Sequence, residues 1–428
     1  MRRENILSIT ANNMKNTFII WIIGGGIILI SAIIIIWFFF LRPTQTLTPV
    51  QTGGQAQFGT AGNVPTDTGT TNTPVSQQNE PVALPINTSQ RVFKISQGPV
   101  TGAAFIQTYL PTTTLARYIL QENGHVMDQP LDVPGAVARS ASNTTIPGTS
   151  HTFWAPKGNI AYVQYLDGSI IKTFMLIFPA ATTTSQVGLK PVEIKFLPDN
   201  IAEFALSPDG KQIAYLFTTS SGSDGYIANF DGSNSKKLFS VGLSQLILAW
   251  PSANNLLLTT KSSAGAPGAV FSVDIKTGGM IPLVYGYGLT AIANPLMSGL
   301  IYQIITGTTR TSYFHDMKKG GDVALTLNPI PEKCAWGKTA TTTLYCGAPL
   351  SFVNNTYLDE WHMGTASLND SIVSFIPALN QDTTVVAVPG SSDGGVQSDI
   401  AEIAVSPDDK YLLFIKKGDR SLWGVRLK

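Results

Sequence analysis

A short pattern of apolar strand, polar turn and apolar strand recurs along most of the chain, and it constrains the fold more than any other feature. Pro, Asp and Gly in the turns supply the fixed or positive φ values that a hairpin requires. The second strand of the clearer copies is rich in β-branched and aromatic residues, which favour strands. The copies are residues 153–162 (FWAPKGNIAY), 206–215 (LSPDGKQIAY), 249–258 (AWPSANNLLL), 293–302 (ANPLMSGLIY), 335–346 (AWGKTATTTLYC) and 405–414 (VSPDDKYLLF).

The spacing of the copies indicates the size of the repeated unit. One turn residue marks each copy: Pro156, Pro208, Pro251, Pro295, Gly337 and Pro407. The steps between these markers are 52, 43, 44, 42 and 70 residues. A period of about 40 to 45 residues is typical of the four-stranded blade of a β-propeller. The long last step contains residues 357–368, where we expect a short helix or a lid loop.

A divergent unit with inner strands at residues 100–106 and 117–120 precedes these copies and brings the predicted number of blades to seven. The last unit ends with residues 421–427 and lacks an outer strand, whereas residues 91–96 have the pattern of a spare outer strand. Pairing of these two strands would close the ring and remove exposed edges. We therefore predict an all-β fold over residues 91–428, a seven-bladed β-propeller of four-stranded antiparallel blades closed by its N-terminal strand.

Two copies resemble a known family. Residues 206–215 (LSPDGKQIAY) and 405–412 (VSPDDKYL) look like the repeat of TolB-type, WD-like β-propellers. The resemblance covers residues 91–428, and the whole chain is similar to membrane-anchored envelope propellers of bacteria. It implies binding through the propeller faces, which in TolB are directed at envelope proteins. The resemblance does not identify a partner for this chain, because no partner-binding motif matches residue by residue.

An apolar segment precedes the repeats. Residues 18–41 (FIIWIIGGGIILISAIIIIWFFFL) carry no charged side chain and are long enough to cross a bilayer of about 30 Å. A cleaved signal peptide is the alternative, but its apolar region would be shorter, and no small-x-small cleavage site follows. We predict a single-pass transmembrane helix.

Basic residues predict the orientation of this helix. Arg2, Arg3 and Lys15 precede it, and only Arg42 follows it. The positive-inside rule then places residues 1–17 in the cytoplasm and the propeller outside, at the cell membrane.

Residues 42–90 are rich in Thr, Gln, Gly and Pro, and they cannot bury enough apolar surface to offset the entropy of ordering. We predict a disordered linker with an r.m.s. reach of about 40 Å. It either lets the head search the space above the membrane or threads it through the wall.

Composition limits the partners. Residues 91–428 hold as many basic as acidic residues and no basic run, which argues against nucleic acid. The four histidines are scattered singly, and the turn carboxylates of Asp209, Asp408 and Asp409 are expected to bond to turn amides. We predict no cofactor, no metal site and a monomeric propeller.

No catalytic motif is found. A peptidase of this architecture would need a G-x-S-x-G elbow within an α/β-hydrolase domain, and no such domain is found beside the repeats; the stretch at residues 391–395 (SSDGG) is only a loop. A glycosidase would need convergent carboxylates. The pairs Asp359–Glu360 and Asp399–Glu402 are available for the convergent carboxylates of a glycosidase.

Trp361 and His362 lie in the insertion that breaks the repeat. We therefore expect no repeat-packing role for them and predict a recognition surface there.

Cys334 and Cys346 fall on the first two strands of the sixth unit, joined by a hairpin. Antiparallel neighbours can meet disulfide geometry, and an outside location permits oxidation. We predict a disulfide, with two buried free thiols as the alternative.

The function predicted from these features is a non-catalytic module that binds or organises an envelope protein or a cell-wall component. An envelope glycan hydrolase or lyase with a site in the channel is one alternative. A sensor coupled through the membrane helix is another.

Overall fold

The computed structural model describes residues 85–86, 90–109, 112–142, 144–178, 192–351 and 357–427. Within these ranges the fold is all-β, as predicted. The first strands are β1 (Val92–Tyr109), β2 (Thr112–Leu120), β3 (Val126–Pro130), β4 (Arg139–Ser140), β5 (Thr149–Trp154), β6 (Ile160–Asp167), β7 (Ile170–Ile177), β8 (Glu193–Phe196), β9 (Ile201–Leu206), β10 (Gln212–Thr219), β11 (Gly222–Asn229) and β12 (Lys236–Val241).

The second half of the chain continues in the same way. Its strands are β13 (Leu246–Ala249), β14 (Asn255–Thr260), β15 (Pro267–Asp274), β16 (Met280–Ala293), β17 (Gly299–Thr306), β18 (Thr309–Asp316), β19 (Asp322–Ala324), β20 (Cys334–Trp336), β21 (Leu344–Pro349), β22 (Asp370–Ile376), β23 (Gln381–Ala387), β24 (Ile400–Val405), β25 (Tyr411–Lys416) and β26 (Ser421–Arg426). Two 3₁₀ turns, Pro331–Lys333 and Pro377–Leu379, and one helix, α1 (Tyr357–His362), complete the described elements.

The strands form antiparallel sheets whose order follows the chain. Three sheets have four strands each, namely β5 to β8, β9 to β12 and β20 to β23. Two sheets have seven strands, one ordered β13 to β19 and the other ordered β24-β25-β26-β1-β2-β3-β4. Each seven-stranded sheet contains one long strand, β1 or β16, that pairs with different neighbours along its two halves.

The long strand β1 joins the two ends of the described chain in one sheet. Its beginning pairs with β26, where Val92 lies opposite Val425, and its later part pairs with β2. Pro99 is opposite Ser421, and the register shifts between Lys94 and Pro99.

Apolar clusters fill the spaces between neighbouring sheets. Tyr162 of β6 is completely buried and packs on Phe204 of β9, with 4.6 Å between ring centroids. The same cluster includes Ile213 and Tyr215 of β10. Burying each such side chain stabilises the fold by about 1.5–3 kcal/mol, so these contacts between sheets are the main source of stability.

The sheets have two distinguishable ends. The hairpin turns at residues 207–211 and 406–410 lie at one of them, which we call the turn end. At the opposite end β20, β22 and β24 begin, and α1 is inserted between β21 and β22. We call this the helix end.

The chain enters this domain at the turn end. Val92 lies beside the last residues of β26, and Ile86 is buried in the same apolar cluster as Leu131 and Tyr411. Ile86 falls within the predicted linker 42–90. Residues 1–84 lie outside the described residues, and so does the predicted transmembrane helix at 18–41. Among the described residues, no helix is long and apolar enough to cross a membrane.

Candidate functional site

The insertion in the sixth unit forms the short helix α1, one of the two forms predicted for it. Its side chains contact strands from several sheets. The Tyr357 hydroxyl donates to Oε1 of Gln303 on β17 at 3.1 Å, and the guanidinium of Arg310 on β18 lies 4.0 Å from the centre of the Tyr357 ring. The Asp359 carboxylate accepts from the backbone nitrogen of Ala264, in the loop after β14, at 2.8 Å. Through these contacts α1 links strands and loops of separate parts of the domain at its helix end.

Trp361 points inward from α1 and is 5% exposed. Its indole Nε1 donates to both carboxylate oxygens of Asp399, at 3.0 and 2.9 Å. The Nζ atom of Lys417 lies 3.5 Å from the ring centroid and donates to the Trp361 carbonyl oxygen. Trp361 is therefore the buried anchor of the inserted helix, a packing role that is separate from the repeat-packing role considered for it in the sequence.

His362 follows Trp361 but lies at the surface. Its Nε2 is 2.7 Å from Oε2 of Glu332, and about a third of the side chain is exposed. The two residues predicted to form one recognition surface are thus separated, the indole inside and the imidazole outside. His362 is therefore accessible from the helix end, whereas Trp361 is covered.

Beneath Trp361 lies a buried cluster of charges. Nζ of Lys333 is 2.6 Å from Oδ2 of Asp370 and 2.7 Å from Oδ1 of Asp399, and the three side chains are 0, 0 and 2% exposed. Asp370 Oδ2 also accepts from the backbone nitrogen of Ile400 at 2.7 Å, and Asp399 Oδ2 accepts from that of Leu368 at 3.1 Å. Burial raises the pKa of Asp370, and the attraction of Lys333 only partly opposes this.

The chain positions these three groups at the starts of strands. Lys333 ends the 3₁₀ turn before β20, Asp370 opens β22, and Asp399 precedes β24. Because these strands begin at the helix end, the side chains meet there although they are far apart in sequence.

A second set of polar residues occupies an equivalent position in several repeats, at the helix end of the first strand of each repeat. His151, Glu203, Glu332 and Glu402 each lie five residues before the marker residue of their repeat. This equivalence follows from the alignment of the repeats.

The carboxylates at this position are held beside basic side chains. Glu203 is 3.6 Å from Lys261, Glu332 is 2.7 Å from His362, and Glu402 is 3.0 Å from Arg420. Burial raises the pKa of Glu203, while Lys261 opposes the shift. These half-exposed pairs give the helix end a polar lining with both signs of charge.

A cleft of about 330 Å³ opens at the helix end of the β9–β12 sheet. Within it Lys237 Nζ is 2.9 Å from Oδ1 of Asp224, which also accepts from the Ser240 hydroxyl at 2.7 Å. Hydroxyls dominate the rest of its wall, contributed by Thr219, Ser221 and Ser223. Such a cleft is suited to a polar ligand with many hydrogen-bonding groups.

The two cysteines face each other across β20 and β21, and the structure joins them in a disulfide with an S–S distance of 2.04 Å. Both are buried. The bond lies next to Lys333 in the chain and belongs to the apolar cluster between the β13–β19 and β20–β23 sheets.

The turn carboxylates bond to backbone amides. Asp209 and Asp408 each accept from the Ser hydroxyl and a backbone nitrogen of their own turn. Asp409 instead accepts from the backbone nitrogens of residues 338–340. Among the residues that the structure describes, no group of three or more His, Cys, Asp or Glu side chains is arranged to hold a metal.

No family model and no curated protein matches the chain. Several solved structures resemble it in fold. TolB from Acinetobacter baumannii is 9% identical with a TM-score of 0.40, and the match covers 80% of this chain and 65% of TolB. The β-propeller domain of the Trilobed protease from Pyrococcus furiosus is 12% identical with a TM-score of 0.39, covering 60% of this chain and 74% of that one.

Kuenenia stuttgartiensis hydrazine synthase is 11% identical with a TM-score of 0.45, and the match covers 83% of this chain and 99% of that one. TolB and another β-propeller are thus among the solved structures that resemble this chain, whose own sheets are antiparallel and in three cases four-stranded. At these identities the similarity concerns the fold alone.

Proposed function

We propose that this chain is a membrane-anchored, extracytoplasmic β-propeller that acts as a non-catalytic binding or scaffold module of the cell envelope. Residues 18–41 hold it in the membrane, and residues 42–90 tether the head. In this proposal the three four-stranded sheets are three blades, and the two seven-stranded sheets supply four more, each divided at its long strand. Pairing of β1 with β26 then closes a seven-bladed ring.

One observation supports the binding role: the described chain enters the domain at the end opposite to the inserted helix. The chain arrives at the turn end, where Ile86 and Val92 pack. His362 and its partner Glu332 lie at the helix end. A head held through its turn end leaves the helix end open to a partner.

The chemistry of the helix end supports a polar ligand. Ion pairs with half-exposed side chains, such as Glu402 with Arg420, can exchange their partners for groups of a ligand at modest cost, because exposed pairs contribute little to stability. The hydroxyl-lined cleft with Asp224 and Lys237 offers the same kind of contact. Both features suit a protein surface or a cell-wall glycan.

The channel enzyme of the alternative needs two carboxylates free to donate and accept protons. Glu203 and Glu402 are each held beside a cation, and Glu332 is held beside the imidazole of His362. Asp370 and Asp399 enclose Lys333 and are sealed from solvent. These arrangements favour binding over acid–base chemistry on a bound glycan.

The test is a binding assay with the full chain in detergent or nanodiscs. Envelope protein extract and solubilised cell-wall fragments are offered separately to three forms of the protein. The first is wild type, and the second carries His362→Ala and Lys261→Ala at the helix end. The third carries Lys211→Ala and Lys410→Ala, two exposed lysines at the turn end, as a matched control.

We expect one of the two extracts to yield a ligand that wild type and the turn-end variant retain equally and that the helix-end variant loses. Loss in the turn-end variant alone would place binding at the other end. Turnover of a cell-wall fragment by wild type would replace the binding module with the enzyme.

A further inference from the structure

The buried cluster contains an amine held between two carboxylates. Nζ of Lys333 lies 2.6 Å from Oδ2 of Asp370 and 2.7 Å from Oδ1 of Asp399, and none of the three side chains is more than 2% exposed. The arrangement places an acyl group and a second proton-accepting group each within hydrogen-bond distance of one nucleophilic amine.

With all three groups charged, this buried cluster is energetically unfavourable. One ammonium and two carboxylates are removed from water, and the desolvation of buried charges offsets most of their attraction. In the described part of the chain, Oδ1 of Asp370 has no hydrogen-bond partner. Burial raises the pKa of Asp370, which favours its neutral acid.

We propose that Lys333 and Asp370 condense into an intramolecular isopeptide bond, and that Asp399 transfers the proton in this step. The reaction replaces a buried pair of opposite charges with a neutral amide. It does not depend on what the head binds, so it goes beyond the function proposed above.

The atoms balance without any further reactant. The Lys333 ammonium passes one proton to the Asp370 carboxylate, and the neutral Nζ attacks Cγ of Asp370. The Asp399 carboxylate takes a second proton from the nitrogen and delivers it to the departing hydroxyl of Asp370. A C–N bond forms, a C–O bond breaks, one water leaves, and Asp399 ends as a carboxylate again.

The surroundings match the demands of this reaction. The backbone N–H of Ile400 lies 2.7 Å from Asp370 Oδ2 and can stabilise the negative oxygen of the tetrahedral intermediate. Oδ1, which has no partner in the structure, is then the oxygen that leaves, and it must come within reach of the Asp399 carboxylate as the tetrahedral intermediate forms. The indole N–H of Trp361 and the backbone N–H of Leu368 hold Asp399 in place, and the buried indole keeps bulk water away.

The test uses peptide mass mapping of the purified full chain. Cysteines are first reduced and alkylated, because the Cys334–Cys346 disulfide would otherwise join the same fragments. After trypsin, the isopeptide predicts one branched species in which residues 320–338, uncut after Lys333, are joined to residues 339–410. Its mass is that of the two peptides less one water.

Separate peptides 320–333, 334–338 and 339–410 from wild type would overturn the proposal and leave an ion pair. Lys333→Arg keeps the positive charge, cannot form the bond, and is expected to give an unbranched digest. Asp399→Asn is expected to lower the branched fraction at least tenfold while the fold, checked by circular dichroism, persists. An unchanged branched fraction in Asp399→Asn would overturn the proton-transfer role of Asp399.

Discussion

The carboxylate of Asp409 accepts a hydrogen bond from the backbone nitrogen of Ala340 at 2.7 Å, although 69 positions separate the two residues. The same carboxylate accepts from the backbone nitrogens of Lys338 at 2.7 Å and Thr339 at 3.1 Å. Asp409 belongs to the turn of the last repeat, and its three donors belong to the turn of the repeat before. One buried side chain thus fastens two neighbouring turns.

Replacing Asp409 with glycine isolates this contact. Gly210 occupies the same turn position in another repeat, and both residues have a positive φ, 52° for Asp409 and 71° for Gly210. Glycine can therefore adopt the same turn conformation. The loss of stability then comes from the backbone N–H groups of residues 338–340, which no longer have an acceptor. We expect Asp409→Gly to lower the free energy of unfolding by about 2–3 kcal/mol, measured by urea denaturation.

The matched control is Asp209→Ala. Among the residues that the structure describes, Asp209 bonds only within its own exposed turn, to Ser207 and Lys211. A change below about 1 kcal/mol is expected there. Equal losses in the two variants would mean that Asp409 acts only on its own turn.

Trp361 and His362 are predicted to differ sharply in their effect on stability. Trp361→Phe keeps an apolar ring in the buried position but removes the donor to Asp399, so a buried carboxylate loses a partner. We expect a loss of about 2–3 kcal/mol and faster proteolysis at α1. His362→Ala removes only a half-exposed pair with Glu332 and should cost less than about 1 kcal/mol. Comparable losses would show that the surface pair holds the helix.

The disulfide should contribute measurably to stability. It closes a loop across 12 positions between Cys334 and Cys346, and cross-linking a loop of this size restricts the unfolded chain. Replacing both cysteines with alanine is expected to lower the free energy of unfolding by about 2–3 kcal/mol. Wild type measured in reductant should lose the same amount, and the double variant should not respond to reductant. A response of the double variant would point to a different redox-sensitive group.

His151 predicts a dependence of stability on pH. Burial lowers its pKa from the ordinary value of 6.5, with Arg420 acting in the same direction and Glu402 against it. The unfolded chain therefore takes up the proton first as the pH falls below 6.5, and the folded state loses stability from that pH downward. Urea unfolding of wild type at about pH 7.5 and about pH 5 should show this loss. His151→Gln should reduce it, and an identical loss in the variant would assign it to other groups.

Much of the fold could be predicted because its signals are local and repeated. Strand, turn and strand lie within ten residues of one another in the copies at 206–215 and 405–414, and both form the expected hairpins. The amide bonding of Asp209 and Asp408 follows from the same short-range chemistry. The reach of Asp409 to the neighbouring turn was not predicted, because it depends on how two repeats are placed side by side.

The buried cluster lay beyond prediction for a related reason. Lys333, Asp370 and Asp399 come from three separate strand starts, and only the order of the sheets brings them together. A lysine with no exposure is rare unless it is paired, so sequence gives it a surface position by default. Trp361 was placed at the surface because the insertion breaks the repeat, whereas an insertion must also supply its own anchor.

The long strand β1 has a mechanical consequence. A pull applied at residue 90 and resisted at the helix end acts along the axis of β1. Hydrogen bonds between strands run perpendicular to that axis, so the bonds to β26 are loaded together in shear and not opened one after another. The continuation of β1 beside β2 passes the load into the next part of the sheet. A domain attached in this way resists traction far better than one whose terminal strand can be peeled from its edge.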